Sequence, residues 1–388
     1  MRIMHISTRL ILGGSQENTV LSCMGQADDG HHVDLVYGPI HGPEGTLLPD
    51  VQAHGGINTI ETPNLIREIN PRKDLTGYRE LIELIRERKP DVVHTHSSKA
   101  GILGRAAAWK AGVPAVIHTI HGLPFHPYQS RLKNLAYILA ERHAAKRCHR
   151  IVTVADAMRD QARAERIGRA EQYSTVRSGM RVEPFLDDRE SKADTRARLG
   201  LPEDVCLVGT IARLAELKGH DDLLDALAEP MRNDPNLHLL WVGDGYWADR
   251  LLGRVREMGL EGQVHSVGLV EPETIPDWVR AMDILVHPSY REGLPRAVVQ
   301  GMLGARPVIS YNLDGAPEVC IPGETGFLVE PGNLEELRSA IVALRQDPEH
   351  ARTLGEAGRA RCREDFDWRV MVRRLQSVYQ ETLDARDA

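Results

Sequence analysis

The most informative stretch of this sequence is the segment Arg291-Glu292-Gly293-Leu294-Pro295-Arg296-Ala297-Val298-Val299-Gln300. It places a carboxylate and a flexible glycine just before a helix whose first turn is marked by Pro295. The start of a helix carries free N–H groups and a positive dipole end, which suit a phosphate group. A carboxylate also binds sugar hydroxyls, because it accepts two hydrogen bonds at once. We therefore expect ligand contacts from Glu292, Gly293, Leu294 and Gln300.

Two cations upstream fit the same ligand. Arg213 and Lys218 follow an apolar run at residues 206–211 that predicts a buried strand, so both are expected on a strand-to-helix loop. A cation pair stabilises the charge that develops on a departing nucleoside diphosphate, without a metal ion. Solvated loop charges are the ordinary alternative. Together with the Glu292 segment, the pair favours a nucleotide-sugar, which is anionic at one end and hydroxylated at the other.

Composition limits the class of protein. The chain has 388 residues, enough for two domains, and its 42% hydrophobic and 27% charged residues are typical of a soluble globular protein. A net charge of −7 argues against nucleic acid as the main partner. The five cysteines are scattered and never form a C-x-x-C pair, which indicates reduced thiols. Without an apolar run of roughly 18 residues, we expect a cytoplasmic protein.

The order of apolar and amphipathic segments predicts an α/β protein. Short apolar runs alternate with longer helical patterns, as in βα units around parallel sheets. Strands are predicted at residues 3–6, 33–37, 58–61, 92–94, 115–119, 151–154, 174–176, 206–211, 238–242, 264–267, 284–287, 308–310 and 327–329. We expect two Rossmann-like domains facing across a cleft, at residues 1–182 and 183–367, with a linker at 183–195. A helix from residue 368 follows and either packs on the second domain or crosses back to the first.

The pair Gly13-Gly14 sits between the first strand and a helix. Paired glycines let the backbone approach a diphosphate, although turns of this kind also contain glycine for purely steric reasons. The pair is not a G-x-G-x-x-G fingerprint, and no suitable acid follows the second strand. This argues against a nicotinamide dehydrogenase.

Twelve of the seventeen histidines precede residue 150. His94 and His96 end one predicted strand, and His118 and His121 end the next. A metal site is the alternative interpretation, but no cluster of Asp, Glu or Cys accompanies these histidines, so we expect no metal. His121 is the best candidate to touch the transferred sugar or its phosphate. His94, His96, Ser97 and Ser98 are expected to line the acceptor side.

A basic segment, residues 131–150, contains six Lys or Arg residues and one acid, Glu141. Its helical pattern has a less polar face formed by Leu132, Leu135, Ala136, Leu139 and His143. A basic amphipathic helix can lie on an anionic membrane surface. A solvated, arginine-rich surface helix is the alternative.

These motifs resemble those of the family-4 retaining glycosyltransferases with the GT-B fold, in the same order and over nearly the whole chain. The motifs are Leu12-Gly13-Gly14, the run at 91–101, His118-Thr119-Ile120-His121-Gly122, Arg213 with Lys218-Gly219, Val242-Gly243-Asp244-Gly245, Gly268-Leu269-Val270, Pro288-Ser289 and the Glu292 segment.

The resemblance implies a metal-independent retaining transferase that needs no cofactor and binds a nucleoside-diphosphate sugar, with UDP favoured. It assigns Arg213 and Lys218 to the diphosphate and Glu292 to the sugar hydroxyls. Gly14 is expected to approach the diphosphate, Val270 to meet the base through its backbone, and His121 to contact the sugar. The second domain is the donor side and the first the acceptor side.

The family's Glu-x7-Glu pattern ends here in Gln300, and Ser178 stands where Asn commonly precedes glycine. The second acid usually binds the ribose hydroxyls, and an amide still accepts a hydrogen bond. The acceptor is expected to be a lipid-linked or other envelope glycan precursor. A nucleotide-sugar epimerase of the same fold and a non-catalytic nucleotide-sugar binding protein remain as alternatives.

Overall fold

The computed structural model describes residues 1–40 and 45–387, and it divides the chain into two compact units. Unit 1 comprises residues 1–180 and the C-terminal segment from residue 368, and unit 2 comprises residues 181–367. Each unit is built on a parallel sheet, as the predicted α/β class requires.

Unit 1 has a seven-stranded parallel sheet in the order β3-β2-β1-β4-β5-β6-β7. Its strands are continuous apolar runs because both faces of the sheet are covered by helices. They are β1 (Arg2–Ser7), β2 (His32–Tyr37), β3 (Ile57–Glu61), β4 (Val92–His96), β5 (Ala115–Ile120), β6 (Arg150–Thr153) and β7 (Tyr173–Thr175). The helices that follow are α1 (Gly14–Asp28), α2 (Leu48–His54), α3 (Pro71–Arg88), α4 (Ser98–Ala111), α5 (Arg131–Ala145) and α6 (Asp156–Ala164).

Unit 2 has a six-stranded parallel sheet in the order β10-β9-β8-β11-β12-β13. Its strands are β8 (Cys206–Ile211), β9 (Leu237–Val242), β10 (Val264–Ser266), β11 (Ile284–His287), β12 (Val308–Tyr311) and β13 (Gly326–Val329). Its helices are α7 (Lys192–Leu199), α8 (His220–Asn233), α9 (Ala248–Glu257), α10 (Ile275–Ala281), α11 (Arg296–Leu303), α12 (Ala316–Val319), α13 (Leu334–Gln346) and α14 (Pro348–Asp365). Trp241 is fully buried in a core that β8, β9 and α8 share.

The structure defines two of the predicted segments more closely. The predicted linker, residues 183–195, contains a short 3₁₀ turn at Glu183–Phe185 and the start of α7. Ser191 caps α7 by accepting a hydrogen bond from the Asp194 N–H, a signal that the mixed charges obscured. The basic segment 131–150 is helical only as far as Ala145, where α5 ends, and Arg150 begins β6.

The C-terminal helix α15 (Trp368–Asp387) belongs to unit 1 and packs against α1. Met371, Val372 and Leu375 are buried in the same core cluster as Val20 and Leu21 of the first helix. The close approach at its start requires a glycine, because a Cβ on Gly179 would lie 2.4 Å from the Trp368 Cα. The second helical layer, formed by α3 and α4, covers the opposite face of the sheet.

In each sheet the strand order reverses once, between β1 and β4 in unit 1 and between β8 and β11 in unit 2. The loops that leave two such strands diverge to opposite faces and open a crevice at the carboxyl ends, where α/β proteins bind their ligands. Among the described helices, none combines the length and apolar character needed to cross a lipid bilayer.

We expect Leu375→Ala to destabilise unit 1 by about 2–5 kcal/mol, because the truncation leaves a cavity between α15 and α1. Urea unfolding followed by tryptophan fluorescence and circular dichroism measures the change. Leu75→Ala on α3 is the matched control, since Leu75 is 51% exposed whereas Leu375 is 2% exposed. Equal stability of the two variants would contradict the packing of α15 on this unit.

Candidate active site

Two loops meet at the strand reversal of unit 2. One follows β8 and carries Arg213 and Lys218, and the other follows β11 and carries Glu292. The Leu217 carbonyl accepts hydrogen bonds from the Tyr290 N–H at 2.8 Å and from the Ser289 hydroxyl at 3.2 Å. Three backbone and side-chain groups therefore fix the two loops against each other.

The same contact explains the glycine that precedes α8. Gly219 has φ of 70°, a left-handed conformation that favours glycine, and a Cβ there would lie 1.8 Å from the Pro288 carbonyl oxygen. Leu217, two residues earlier, also has positive φ, at 64°. Strained backbone of this kind is concentrated at ligand-binding sites.

Lys218 and Glu292 form an ion pair across the two loops. The Lys218 Nζ donates to the Glu292 Oε1 at 2.6 Å, and the His287 Nε2 donates to the same oxygen at 2.9 Å. Burial raises the pKa of the Glu292 carboxyl, but the charge of Lys218 and the hydrogen bond from His287 outweigh it and hold that pKa well below its usual value. Glu292 is consequently an ionised acceptor at neutral pH.

Arg213 has an exposed side chain at the mouth of the same loop. Its carbonyl accepts a hydrogen bond from the His220 Nε2 at 2.9 Å, which fixes the backbone. Burial lowers the pKa of His220 to about 4, so the ring is neutral and its proton is available for this bond. The backbone that carries the exposed Arg213 guanidinium is therefore held in place.

The Glu292 loop leads into α11. The Glu292 N–H donates to the Asp314 carboxylate at 2.8 Å, Leu294 is buried and Gly293 is half-buried. Pro295 precedes the helix and provides no side-chain cap, and Gln300 lies half-buried on its second turn. Val270, also half-buried, follows β10 beyond the backbone bridge that joins Gly243 and Gly268.

In unit 1 the predicted residues lie at the ends of β1 and β5. Gly13 precedes α1 with φ of 170°, an extended conformation open to any residue, and Gly14 is the first residue of that helix. The loops after β1 and β4 are joined by a hydrogen bond between the Thr8 and Ser97 hydroxyls at 2.7 Å. His121 follows β5 and is half-buried.

Behind His121 runs a buried chain of hydrogen-bonded side chains. The His121 Nε2 lies 3.0 Å from the His96 Nδ1, and the His96 Nε2 lies 2.9 Å from the His5 Nδ1. The His5 Nε2 lies 2.7 Å from the Gln26 Oε1. The Nε2 of the same amide donates to the Tyr379 hydroxyl at 3.2 Å. The chain therefore connects α15 to His121 through α1, β1 and β4.

These hydrogen bonds couple the ring tautomers to the orientation of the Gln26 amide. Burial lowers the pKa of His5 to about 4 and the pKa of His96 well below its ordinary value, so both rings are neutral with one donor and one acceptor. With the Gln26 oxygen accepting from His5, His96 must donate to His5, and His121 must donate from its Nε2 to His96. The opposite orientation of the Gln26 amide would reverse every bond in the chain.

The structure corrects the expected role of His94 and His96. Both are fully buried, and His94 bonds Tyr379 and Thr119 at 2.5 and 2.7 Å, so neither lines an acceptor surface. The nitrogens of His5, His94 and His96 that lie within 4.8 Å of one another form the one group of potential metal ligands among the described residues. Each already has a hydrogen-bond partner, which a metal ion would have to displace.

Sequence reasoning missed His287, His5 and Tyr379. A signal existed for His287, because it ends an apolar strand five residues before Glu292. His5 interrupts an apolar strand, which indicates a buried polar group that needs a partner. Tyr379 carried no such signal, since aromatic residues at helical spacing are usually core.

Comparisons with known proteins identify the family of this protein. The model of the glycosyl transferase 4-like domain matches residues 13–179, and that of glycosyl transferases group 1 matches residues 191–361. The chain is 28% identical over 351 residues to the UDP-Gal:alpha-D-GlcNAc-diphosphoundecaprenol alpha-1,3-galactosyltransferase of Escherichia coli, covering 89% of this chain and 88% of that protein. It is 24% identical over 322 residues to the capsular polysaccharide biosynthesis glycosyltransferase CapM of Staphylococcus aureus, covering 82% and 83%.

The fold is shared with Anabaena HepE, whose crystal structure in complex with UDP-glucose superposes with a TM-score of 0.84. The identity is 22%, and the superposition covers 98% of this chain and 100% of that one. The two family models match consecutive parts of the chain, and each unit has the parallel sheet of a GT-B domain. Both findings indicate the same family. This protein belongs to the group 1 glycosyltransferases of the family-4 type and has the GT-B fold.

Proposed function

We propose that this glycosyltransferase moves a sugar from a nucleoside-diphosphate sugar to an acceptor hydroxyl with retention of configuration and without a metal ion. The observation that carries the proposal is the Lys218–Glu292 ion pair at the strand reversal of unit 2, beside the exposed Arg213. A cation and a carboxylate lie side by side, and they match the two parts of a nucleotide-sugar, the diphosphate and the hydroxylated ring.

We assign each side chain to a part of the ligand by its charge and its hydrogen-bonding groups. An ammonium has three N–H donors, and Lys218 gives one to Glu292, which leaves two for diphosphate oxygens. Arg213 adds a second fixed charge as the leaving group departs. Glu292 accepts from sugar hydroxyls, Gln300 binds the ribose, and Val270 meets the base through its backbone.

On the unit 1 side, Gly13 and Gly14 bring backbone close to the diphosphate and His121 contacts the sugar. Glu292 is held by two donors, so we assign it to binding and not to nucleophilic attack. Retention then comes from departure and attack on the same face of the sugar within an ion pair.

The acceptor is proposed to be a lipid-linked or other envelope glycan precursor, reached from the cytoplasmic face of the membrane. The Escherichia coli relative acts on a diphosphoundecaprenol-linked sugar, and the Staphylococcus aureus relative serves capsular polysaccharide biosynthesis. UDP is the favoured donor nucleotide because the first of these proteins uses UDP-Gal and HepE binds UDP-glucose.

We expect Arg213→Ala, Lys218→Ala and Glu292→Ala each to lower kcat/KM more than tenfold, or about 1.4 kcal/mol of transition-state stabilisation. Arg256→Ala, an exposed arginine near the end of α9, is the control and should leave the rate unchanged. Glu292→Gln keeps the side chain's shape and separates loss of charge from misfolding. Near wild-type rates in all three alanine variants would refute the site assignment.

Turnover of the purified enzyme should be unchanged when EDTA is added, because fixed cations replace a divalent ion at the leaving diphosphate. Activity lost on chelation and restored by Mg²⁺ or Mn²⁺ would contradict this part of the proposal.

A thermal-shift panel of UDP-, GDP- and ADP-sugars should identify the donor. A ligand at 100 times its dissociation constant adds about 2.7 kcal/mol of stability, and UDP-sugars are expected to give the largest shift. The same samples, incubated without acceptor and analysed by NMR, test the alternatives: an epimerised nucleotide-sugar indicates an epimerase. Binding with neither hydrolysis nor transfer to any acceptor indicates a non-catalytic binding protein.

A further inference from the structure

Helix α5 presents its apolar face to solvent. Leu132, Leu135 and Leu139 follow one another at helical spacing and are 81%, 49% and 53% exposed. Its opposite face is the one that packs, with Ile138 and Glu141 buried. A helix whose leucines point outward has an unpartnered surface, and three leucines in one stripe are more than the scattered exposure of ordinary surfaces.

The charges around this stripe are of one sign. Arg131, Lys133 and Lys146 are exposed beside it, whereas the one acid of the segment, Glu141, is buried and paired with Arg105 at 2.7 Å. The chain as a whole carries a net charge of −7. The basic character is therefore a local property of this surface and opposes the average of the protein.

A cavity of about 830 Å³ adjoins the stripe. Its lining combines Leu139 with the exposed Trp109 and four cations, and the lining residues used here are Trp109, Leu139, Arg142, Lys146, Arg166 and Arg169. Glu165 and Glu171 pair with Arg142 and Arg169. Within residues 1–40 and 45–387, Lys146 and Arg166 have no acidic partner, so the cavity keeps unneutralised positive charge.

We propose that this surface, formed by Leu132, Leu135, Leu139, the flanking cations and the adjoining cavity, docks unit 1 on an anionic lipid bilayer. The leucines insert at the level of the headgroups and the cations bind lipid phosphates, with Trp109 at the interface. Charge complementarity selects this occupant. The proposal rests on the proposed function, because docking brings the protein to an acceptor that is lipid-linked.

The test is sedimentation of the full chain with phosphatidylcholine vesicles that contain or lack phosphatidylglycerol, at low and high ionic strength. We expect binding only to the phosphatidylglycerol vesicles, weakened by salt. Leu135→Gln/Leu139→Gln should weaken it at least about tenfold. Arg131→Glu/Lys133→Glu should weaken it further, since each charge near the surface contributes about fivefold.

Matched variants lie elsewhere on the same unit. Leu75→Gln changes an equally exposed leucine on α3, and Arg373→Glu/Arg374→Glu makes the same charge change on α15, against the other face of the sheet. Both should bind vesicles like the wild type. Absence of binding to phosphatidylglycerol vesicles, or equal loss in test and control variants, overturns the proposal.

Two further readouts separate the other outcomes. Thermal stabilisation by UDP should be the same in the docking variants as in the wild type, and failure of UDP to stabilise any form would count against the proposed function and not the docking surface. Analytical ultracentrifugation without lipid should show one unchanged species. A change of oligomeric state in Leu135→Gln/Leu139→Gln, with vesicle binding intact, would assign the face to contact between copies of the chain and overturn membrane docking.

Discussion

The reversal of strand order in each parallel sheet is the constraint on which the site depends. Loops after β8 and β11 leave adjacent strands toward opposite faces, so side chains distant in sequence meet at one sheet edge. Lys218 and Glu292 are 74 residues apart, yet they form an ion pair at 2.6 Å. The glycine at 219 and the hydrogen bonds to the Leu217 carbonyl keep that approach fixed.

The residues around Glu292 keep its carboxyl group ionised. Removing a buried charge from water is costly, and Glu292 stays ionised because Lys218 and His287 both bind its Oε1. If either member of the Lys218–Glu292 pair were removed, the charge of the other would be left without an oppositely charged partner. The arrangement places an ionised carboxylate beside a cation without a reorganisation of the loops.

In unit 1 the polar groups behind His121 are buried, neutral imidazoles and not charged side chains. Burial keeps His5 and His96 neutral, and with the Gln26 oxygen as acceptor the hydrogen bonds are donated in one direction, from His121 toward Gln26. The proton position on His121 is thereby coupled to a glutamine on α1 and a tyrosine on α15. The C-terminal helix consequently contributes to a ring that lies some 258 residues earlier in the chain, from Tyr379 to His121.

The periodicity of apolar residues determined the fold. All thirteen predicted strands are present, because buried parallel strands are apolar on both faces and stand out from amphipathic helices. The family and the loop positions of Arg213, Lys218 and Glu292 were also within reach of the sequence, since motif order survives when sequence identity is low. The start of α7 escaped, because its charges have weak periodicity and a single serine cap decides it.

Only the tertiary structure decided which polar groups are buried and which apolar groups are not. His94 and His96 have the sequence position of surface ligands, yet both are interior hydrogen-bonding groups, His94 with Tyr379 of α15 and His96 with His5 of β1. The leucines of α5 have the spacing of a core-facing stripe, yet the opposite face packs on the unit and leaves them in solvent. Periodicity shows that a face exists, but what covers it depends on neighbours that are remote in sequence.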